Sequence, residues 1–336
     1  MAKTICVAGA SGLVGSSIVK EALFRGYNVH GTLRDATAKE KVHYLNLLEG
    51  SNNLKLFSAD MQTTSTFDEA LKGTDAVFIT CLIPTYKGPT GVLAKEMEYE
   101  QGYEEIIRPT VDGCVGILKS AHKQGVRQAV ICSSTSSTNP VPAVTIKNEI
   151  DHWSDEEEQC KSKKFTSATK TVMEKAAIRF AKENNIRLSI ILPTGLYGQA
   201  ILPEHMHHNP FAWLNRVIEG GQPRHETTPN DSASMIHLED LANLFLAAYE
   251  NPNATGRYFG VYKSLHWQEI YFECQKLLPN MTVAQPTIMT AVPRFYQNLF
   301  SKISLNFSKQ KGFKKKLIEN LSLIHISEPT RLRRIS

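Results

Sequence analysis

Gly9-Ala10-Ser11-Gly12-Leu13-Val14-Gly15 follows directly on an apolar run, Ile5–Ala8, and opens a helical pattern. No other feature constrains the fold as strongly. Glycines at this spacing let a chain leave a buried strand, turn tightly, bring its backbone against a pyrophosphate and start a helix packed on the strand. That helix offers its free N–H groups and the positive end of its dipole to negative charge. Glycine spacing alone says little, because turns are glycine-rich anyway. Strand, loop and helix in succession make it a dinucleotide site, with Gly9, Ser11, Gly12, Leu13, Val14 and Gly15 facing the phosphates.

The first run begins a series. Tyr27–Leu33, Leu54–Ala59, Ala76–Cys81 and Ala129–Cys132 are rich in Val, Ile and Phe and bounded by turn residues. Parallel strands buried on both faces have this composition. Between them, Ser16–Phe24 and Pro109–Lys123 repeat apolar residues at helical spacing, and a further helix, Thr166–Asn184, leads into a strand at Leu188–Leu192. The alternation predicts right-handed βαβ units and an α/β fold with a doubly wound parallel Rossmann sheet. From Pro193 onward the pattern breaks. Residues 203–229 read as loops and short helices, followed by a helix at Leu238–Tyr249, a strand at Arg257–Val261 and a helix at Trp267–Leu277.

The end of the second strand separates NAD from NADP. An acidic residue there would bind ribose hydroxyls, whereas this chain has Thr32-Leu33-Arg34, and a guanidinium matches a 2′-phosphate in shape and charge. Lys41, seven residues on, brings a second positive charge. Asp35 competes with this signal but follows the arginine and reads as a helix N-cap. Asp60 ends the third strand, where contact with an adenine and simple closure of a turn stay equally open. The expected organisation is an NADP-binding Rossmann domain over 1–192 and a smaller, interleaved substrate-binding lobe over 193–320. Residues 321–336, LSLIHISEPTRLRRIS, look like translated adaptor read-through, a non-native tail.

Composition excludes several classes of function. With 336 residues, 42% hydrophobic and 21% charged, the chain has the make-up of a soluble globular enzyme. The net charge of +5 is spread out, and its one cluster (Lys309, Lys311, Lys314, Lys315 and Lys316) reads as a solvated face, so no nucleic-acid partner is expected. The six cysteines show no metal-ligand or C-x-x-C spacing, which suits a reducing, cytoplasmic setting. The first strand begins at once, leaving no room for a signal peptide, and no apolar stretch approaches the roughly 20 residues of a membrane helix. His205, His207 and His208 lack an acidic or cysteine partner at ligand spacing, so they read as a solvated loop rather than a metal site. The expected partner is a small-molecule substrate, bound by a monomer or homodimer.

A family resemblance adds to this. VAGASGLVGSSIVKEALFRGYNVHGTLRD resembles the opening of the dihydroflavonol reductase and cinnamoyl-CoA reductase family of extended short-chain dehydrogenases/reductases. SADMQTTSTFDEALKGTDAVF, IIRPTVDGCVGILKSAHKQGVRQAVICSS, KTVMEKAAIRFAKENNIRLSIILPTGLYG, IHLEDLANLFLAAYE and GRYFGVYKSLHWQEI are similar to later family blocks in order, over roughly residues 4–280. The resemblance implies NADPH, and reduction of a ketone, aldehyde or thioester on a mid-sized hydrophobic or aromatic substrate. It places Ser134 on the substrate carbonyl, Lys170 on the nicotinamide ribose and Asn139 on the substrate. Pro193-Thr194-Gly195 pass beside the nicotinamide carboxamide, and Met61 and Cys81 complete the cofactor set with Asp60. His237 and Asp240 resemble a structural pair.

One departure outweighs these matches. The family has Tyr-x-x-x-Lys, where this chain has Phe165-Thr166-Ser167-Ala168-Thr169-Lys170, in a segment several residues shorter than in plant relatives. Four residues back from Lys170 stands Thr166, whose hydroxyl is far less acidic than a phenol of pKa about 10. If activity survives, the proton must come from Ser134 or Thr135 through water, or from Tyr86 or Tyr197, both also candidate substrate residues; a water relayed by Thr166 and Ser134 is the favoured source. Two other classes of function suit a lost acid: an NADP-binding scaffold or redox sensor without turnover, and an epimerase/dehydratase.

Overall fold

The computed structural model describes residues 2–207, 212–218 and 221–277. Its strands are β1 (Thr4–Ala8), β2 (Asn28–Leu33), β3 (Leu54–Ser58), β4 (Ala76–Ile79), β5 (Gln128–Cys132), β6 (Arg187–Pro193), β7 (Gly195–Tyr197), β8 (Ser232–His237), β9 (Gly256–Gly260) and β10 (Lys263–His266). The helices are α1 (Leu13–Phe24), α2 (Lys39–Asn46), α3 (Asp68–Leu71), α4 (Tyr99–Gly102), α5 (Arg108–Lys123), α6 (Glu156–Lys161), α7 (Phe165–Glu183), α8 (Ala212–Ile218), α9 (Leu238–Glu250) and α10 (Trp267–Leu277).

Seven strands form one parallel sheet in the order β3-β2-β1-β4-β5-β6-β9. The order reverses between β1 and β4, the switch point where open α/β sheets bind ligands beyond the carboxyl ends of their strands. Alternate side chains serve opposite faces. Cys6, Ala8, Val77 and Ile79 pack against Ile117, Leu118, Met173 and Ala177 of α5 and α7. Ile5, Val7, Ala76 and Phe78 pack against Ile18, Ala22, Phe245 and Leu246 of α1 and α9. In β1 and β4 both faces are buried, so these strands read as unbroken apolar runs, whereas the edge strand β3 exposes Lys55 and Ser58.

The lobe holds more sheet than its sequence suggested. β7, β8 and β10 form a second sheet in the order β10-β8-β7, with β8 antiparallel to β10 and parallel to β7. Its inner face packs Met235 and Leu265 against Trp213, Trp267 and Tyr271. Neither β7, with three residues, nor the mixed Ser-Ala-Ser-Met-Ile-His of β8 carries a strand signal of its own. Tertiary pairing makes them strands.

A further element precedes α5. The chain runs from α4 through a π-helical turn, Tyr103–Ile107, into α5, where Pro109 sits in the first turn. Met97, Ile106 and Ile107 form a separate core cluster with Phe165 and Ala168, which fixes the start of α7. Among the boundaries that move, α1 begins at Leu13 rather than Ser16, α7 at Phe165 rather than Thr166, and β4 ends at Ile79 rather than Cys81. Asp35 is not an N-cap. α2 starts at Lys39 behind Ala38, and the Asp35 carboxylate instead accepts from the backbone N–H and hydroxyl of Thr37, at 2.8 and 2.6 Å. That is a local Asx turn. The lysine cluster at 309–316 and the tail 321–336 lie outside the described residues. No helix among the described residues is long and apolar enough to cross a membrane.

Candidate active site

The glycine loop leaves β1 at Gly9, whose φ of 90° is left-handed and whose Cβ, were there one, would lie 2.9 Å from the Cys81 nitrogen. At Gly15 a Cβ would come within 2.0 Å of the Gly9 carbonyl oxygen, so α1 packs on the loop only because both are bare. Gly12 stands at the N-cap with no side-chain cap, which leaves first-turn amides of α1 for a ligand. Arg34, just beyond β2, is exposed and has no ion pair among the described residues. Lys41, on α2, lies 3.2 Å from the Glu204 carboxylate.

Around this cradle, Asp60 accepts from the Gln62 N–H at 2.8 Å and Met61 fills the space above Gly113. Cys81 backs Gly9, its thiol pushed up to about 12 by burial. On the far side, Pro193 ends β6 and Gly195 opens β7. Between them the Thr194 hydroxyl oxygen is buried without a hydrogen-bond partner. A buried polar atom left unpaired is costly and calls for a ligand. Bare loop, uncapped helix, unpaired guanidinium and orphaned hydroxyl fit a phosphorylated dinucleotide lying across the switch point.

Lys170 and Ser134 converge beside it. Lys170 is buried on α7, and its Nζ donates to the Cys132 carbonyl at the end of β5, at 3.3 Å. Burial pushes its pKa below the usual lysine value. Ser134, two residues beyond that carbonyl, accepts from the Ser136 N–H at 3.2 Å, which leaves its own proton to donate. Thr166 lies one turn before Lys170, and its hydroxyl donates to the Thr85 carbonyl at 2.8 Å. Phe165 is core. Its ring sits where a Cβ on Gly102 would lie, 2.3 Å away, so it packs against bare backbone. Neither position supplies a phenol.

The other candidates lie in different settings. Asn139 is exposed, donates its N–H to Ser154 Oγ at 2.8 Å and accepts from Lys147 through its side chain. Tyr86 is 73% exposed on the loop after β4. Tyr197 packs beside the Trp213 cluster, and burial pushes its phenol above the ordinary range. His237 precedes α9 with its ring against Gly198. His205 departs from the solvated loop expected of it. It is buried rather than solvated, with Nε2 3.0 Å from the Ser11 carbonyl oxygen.

Behind Ser134 lies a polar hub that sequence reasoning missed. Glu174, one turn after Lys170 and fully buried, accepts from Ser133 Oγ and from Arg257 Nε, the latter at 2.8 Å. Arg257 also donates to Ser137 Oγ at 3.0 Å and to the carbonyls of Glu149 and His152 at 2.8 and 3.0 Å. Its guanidinium stacks on the Trp153 ring, 3.6 Å from the centroid. Burial pushes the Glu174 carboxyl up, while Ser133, Ser137 and Arg257 pull it down. The available signal was a glutamate on the core-facing side of a helix, which needs a partner.

This arrangement is that of an extended short-chain dehydrogenase/reductase. Residues 5–261 match the NAD dependent epimerase/dehydratase family, and the chain belongs to it, in the branch resembling dihydroflavonol reductases. It is 34% identical over 264 residues to the bifunctional dihydroflavonol 4-reductase/flavanone 4-reductase of Malus domestica, covering 76% of this chain and 71% of the relative. It is 31% identical over 290 residues to a cinnamoyl-CoA reductase of Medicago truncatula, covering 85% and 84%. Vestitone reductase from alfalfa (Medicago sativa L.) shares the fold with a TM-score of 0.65 at 21% identity, over 95% of this chain and 97% of that one. A yeast methylglyoxal/isovaleraldehyde reductase complexed with NADPH does so with a TM-score of 0.67 at 20% identity, over 96% and 98%.

Proposed function

We propose that this chain is an NADPH-dependent reductase of a ketone, aldehyde or thioester carbonyl on a mid-sized hydrophobic or aromatic substrate, working without the family's tyrosine. The observation that carries the reading is the convergence of Ser134 and Lys170 at the end of β5, beside the glycine loop. The relatives named as reductases of dihydroflavonols and cinnamoyl-CoA support it.

NADPH supplies the hydride when bound. The rest falls to the chain. Backbone N–H groups over Gly9–Gly15 take the diphosphate, with Asp60, Met61 and Cys81 along the cofactor's flank. Arg34 and Lys41 take the 2′-phosphate, and Thr194 between Pro193 and Gly195 pairs with the carboxamide. Lys170 holds the nicotinamide ribose. Ser134 donates to the carbonyl oxygen, which stabilises negative charge as it develops there. The proton comes from water relayed by Thr166 and Ser134. Because Thr166 gives its own proton to Thr85, the relay runs only when that bond is exchanged for one to water, and turnover is slow. Asn139, Tyr86 and Tyr197 border the substrate.

The Thr166–Thr85 bond favours one second reading, a protein that binds NADPH without turning it over. Incubating purified protein with NADPH and a panel of ketones, aldehydes and thioesters separates the two. Slow, substrate-dependent NADPH oxidation is expected. Tight NADPH binding with no oxidation on any member of the panel would leave the second reading standing.

A further inference from the structure

After β7, residues 199–205 are tied to α1, the glycine loop and α2 at three points. Gln199 Oε1 accepts from Lys20 on α1 at 3.5 Å. His205, in a short 3-10 turn at Pro203–His207, is buried with its Nε2 3.0 Å from the Ser11 carbonyl oxygen of the glycine loop. Glu204, its neighbour, pairs with Lys41 at 3.2 Å. The lobe thus places a carboxylate on one of the two cations assigned to the 2′-phosphate, while Arg34 has no ion pair among the described residues.

We propose that Glu204 is a specificity-setting residue of the cofactor site: it competes with the 2′-phosphate for Lys41 and so limits the preference for the phosphorylated dinucleotide. The proposal rests on reading Lys41 as a 2′-phosphate residue. The Glu204 and Lys41 side chains are 43% and 30% exposed, and a pair so open to water is weak. A phosphate carrying close to two negative charges displaces it, but the displacement lowers affinity. A dinucleotide lacking the 2′-phosphate leaves the pair intact and meets no such cost. The buried His205 keeps the segment seated on the loop, so Glu204 stays within reach of Lys41.

The test is a fluorescence titration of the full chain with NADPH and with NADH at one ionic strength, for the wild type, Glu204→Gln, Lys41→Ala and the double variant. Glu204→Gln should tighten NADPH about two- to fivefold, the scale of one exposed ion pair, and leave NADH unchanged. Lys41→Ala should weaken NADPH about tenfold. In the Lys41→Ala background the Glu204→Gln effect should vanish. If Glu204→Gln tightens both cofactors alike, or still tightens NADPH without Lys41, Glu204 acts as a diffuse charge and the proposal is overturned. If Lys41→Ala weakens NADPH but Glu204→Gln changes nothing, the proposal alone fails. If Lys41→Ala leaves NADPH affinity intact, the assignment of Lys41 to the 2′-phosphate fails, and the proposal with it.

Discussion

The cofactor cradle and the catalytic helix meet at the same end of the sheet, β1 and β5 being separated only by β4, and they treat polar groups in opposite ways. In the cradle several groups are left open, although Lys41 is paired with Glu204. Arg34 has no ion pair among the described residues, the Thr194 hydroxyl is orphaned and α1 starts without a side-chain cap. On α7 the groups are closed. Thr166 bonds Thr85, Lys170 bonds Cys132, and Glu174 is held by Ser133 and Arg257. A buried open group such as the Thr194 hydroxyl costs stability until a ligand arrives, an exposed one such as Arg34 is solvated at little cost, and closed groups hold a shape. Gripping a cofactor and supplying a proton are therefore separable properties of this scaffold, and the chain keeps the residues of the first while lacking the phenol of the second.

Opening the closed side of α7 should have the largest effect. Arg257→Met leaves Glu174 buried without its cation, held by Ser133, and should cost about 3–5 kcal/mol in urea denaturation. Adding Glu174→Met should recover much of that loss. Arg34→Ala, on the open side, should leave stability unchanged within about 0.5 kcal/mol. A hub variant as stable as wild type would mean that the closed groups do not hold α7.

Restoring the phenol is the next largest effect. General acid catalysis contributes about 10²–10⁴-fold, so Thr166→Tyr should raise kcat by at least about tenfold even in imperfect geometry. Thr166→Ala should lower kcat while NADPH affinity stays put. Full activity in Thr166→Ala, with activity abolished by Tyr86→Phe or Tyr197→Phe, would assign the acid to a relocated tyrosine.

On the open side, NADPH should bind at least about tenfold more tightly than NADH, the worth of one charge-assisted contact. Arg34→Asp should reverse that order. Equal affinities for the two cofactors in the wild type would remove Arg34 from the site.

The smallest expected effect concerns Lys170. Its folded pKa lies below the ordinary 10.5, chiefly through burial. A base depressed in this way opposes folding while protonated, and the penalty fades as pH rises through the folded value toward 10.5. Lys170→Met should therefore raise Tm at pH 7, and the gain should shrink on approach to pH 10.5. A gain independent of pH would attribute it to packing instead.

What the sequence made legible divides along the same line. The glycine loop, the strand ends and the helix carrying Lys170 depend on neighbours within a few residues, so spacing alone places them. The rest depends on distant partners. His205 meets Ser11 across 194 residues, and Arg257 meets Glu174 across 83. β8 becomes a strand only through β7 and β10. The hydroxyl of Thr166 was visible as a residue type, but the carbonyl that accepts its proton lies 81 residues away.

The position of Arg257 also sets an order of events. It stands on β9, the last in sequence of the described strands of the large sheet, yet it completes the loop after Ser134 through bonds reaching back 120 residues to Ser137 and 105 to His152. Contacts of such separation form late, because the intervening chain must be ordered first. During synthesis β1 to β6 emerge before it, so the nucleotide cradle can assemble while the loop of Ser134 is still waiting for its cation. Pulsed hydrogen exchange during refolding should find β1 and α1 protected before residues 135–154. The loop after Ser134 is then expected to take its form later than the glycine loop that precedes it in the chain.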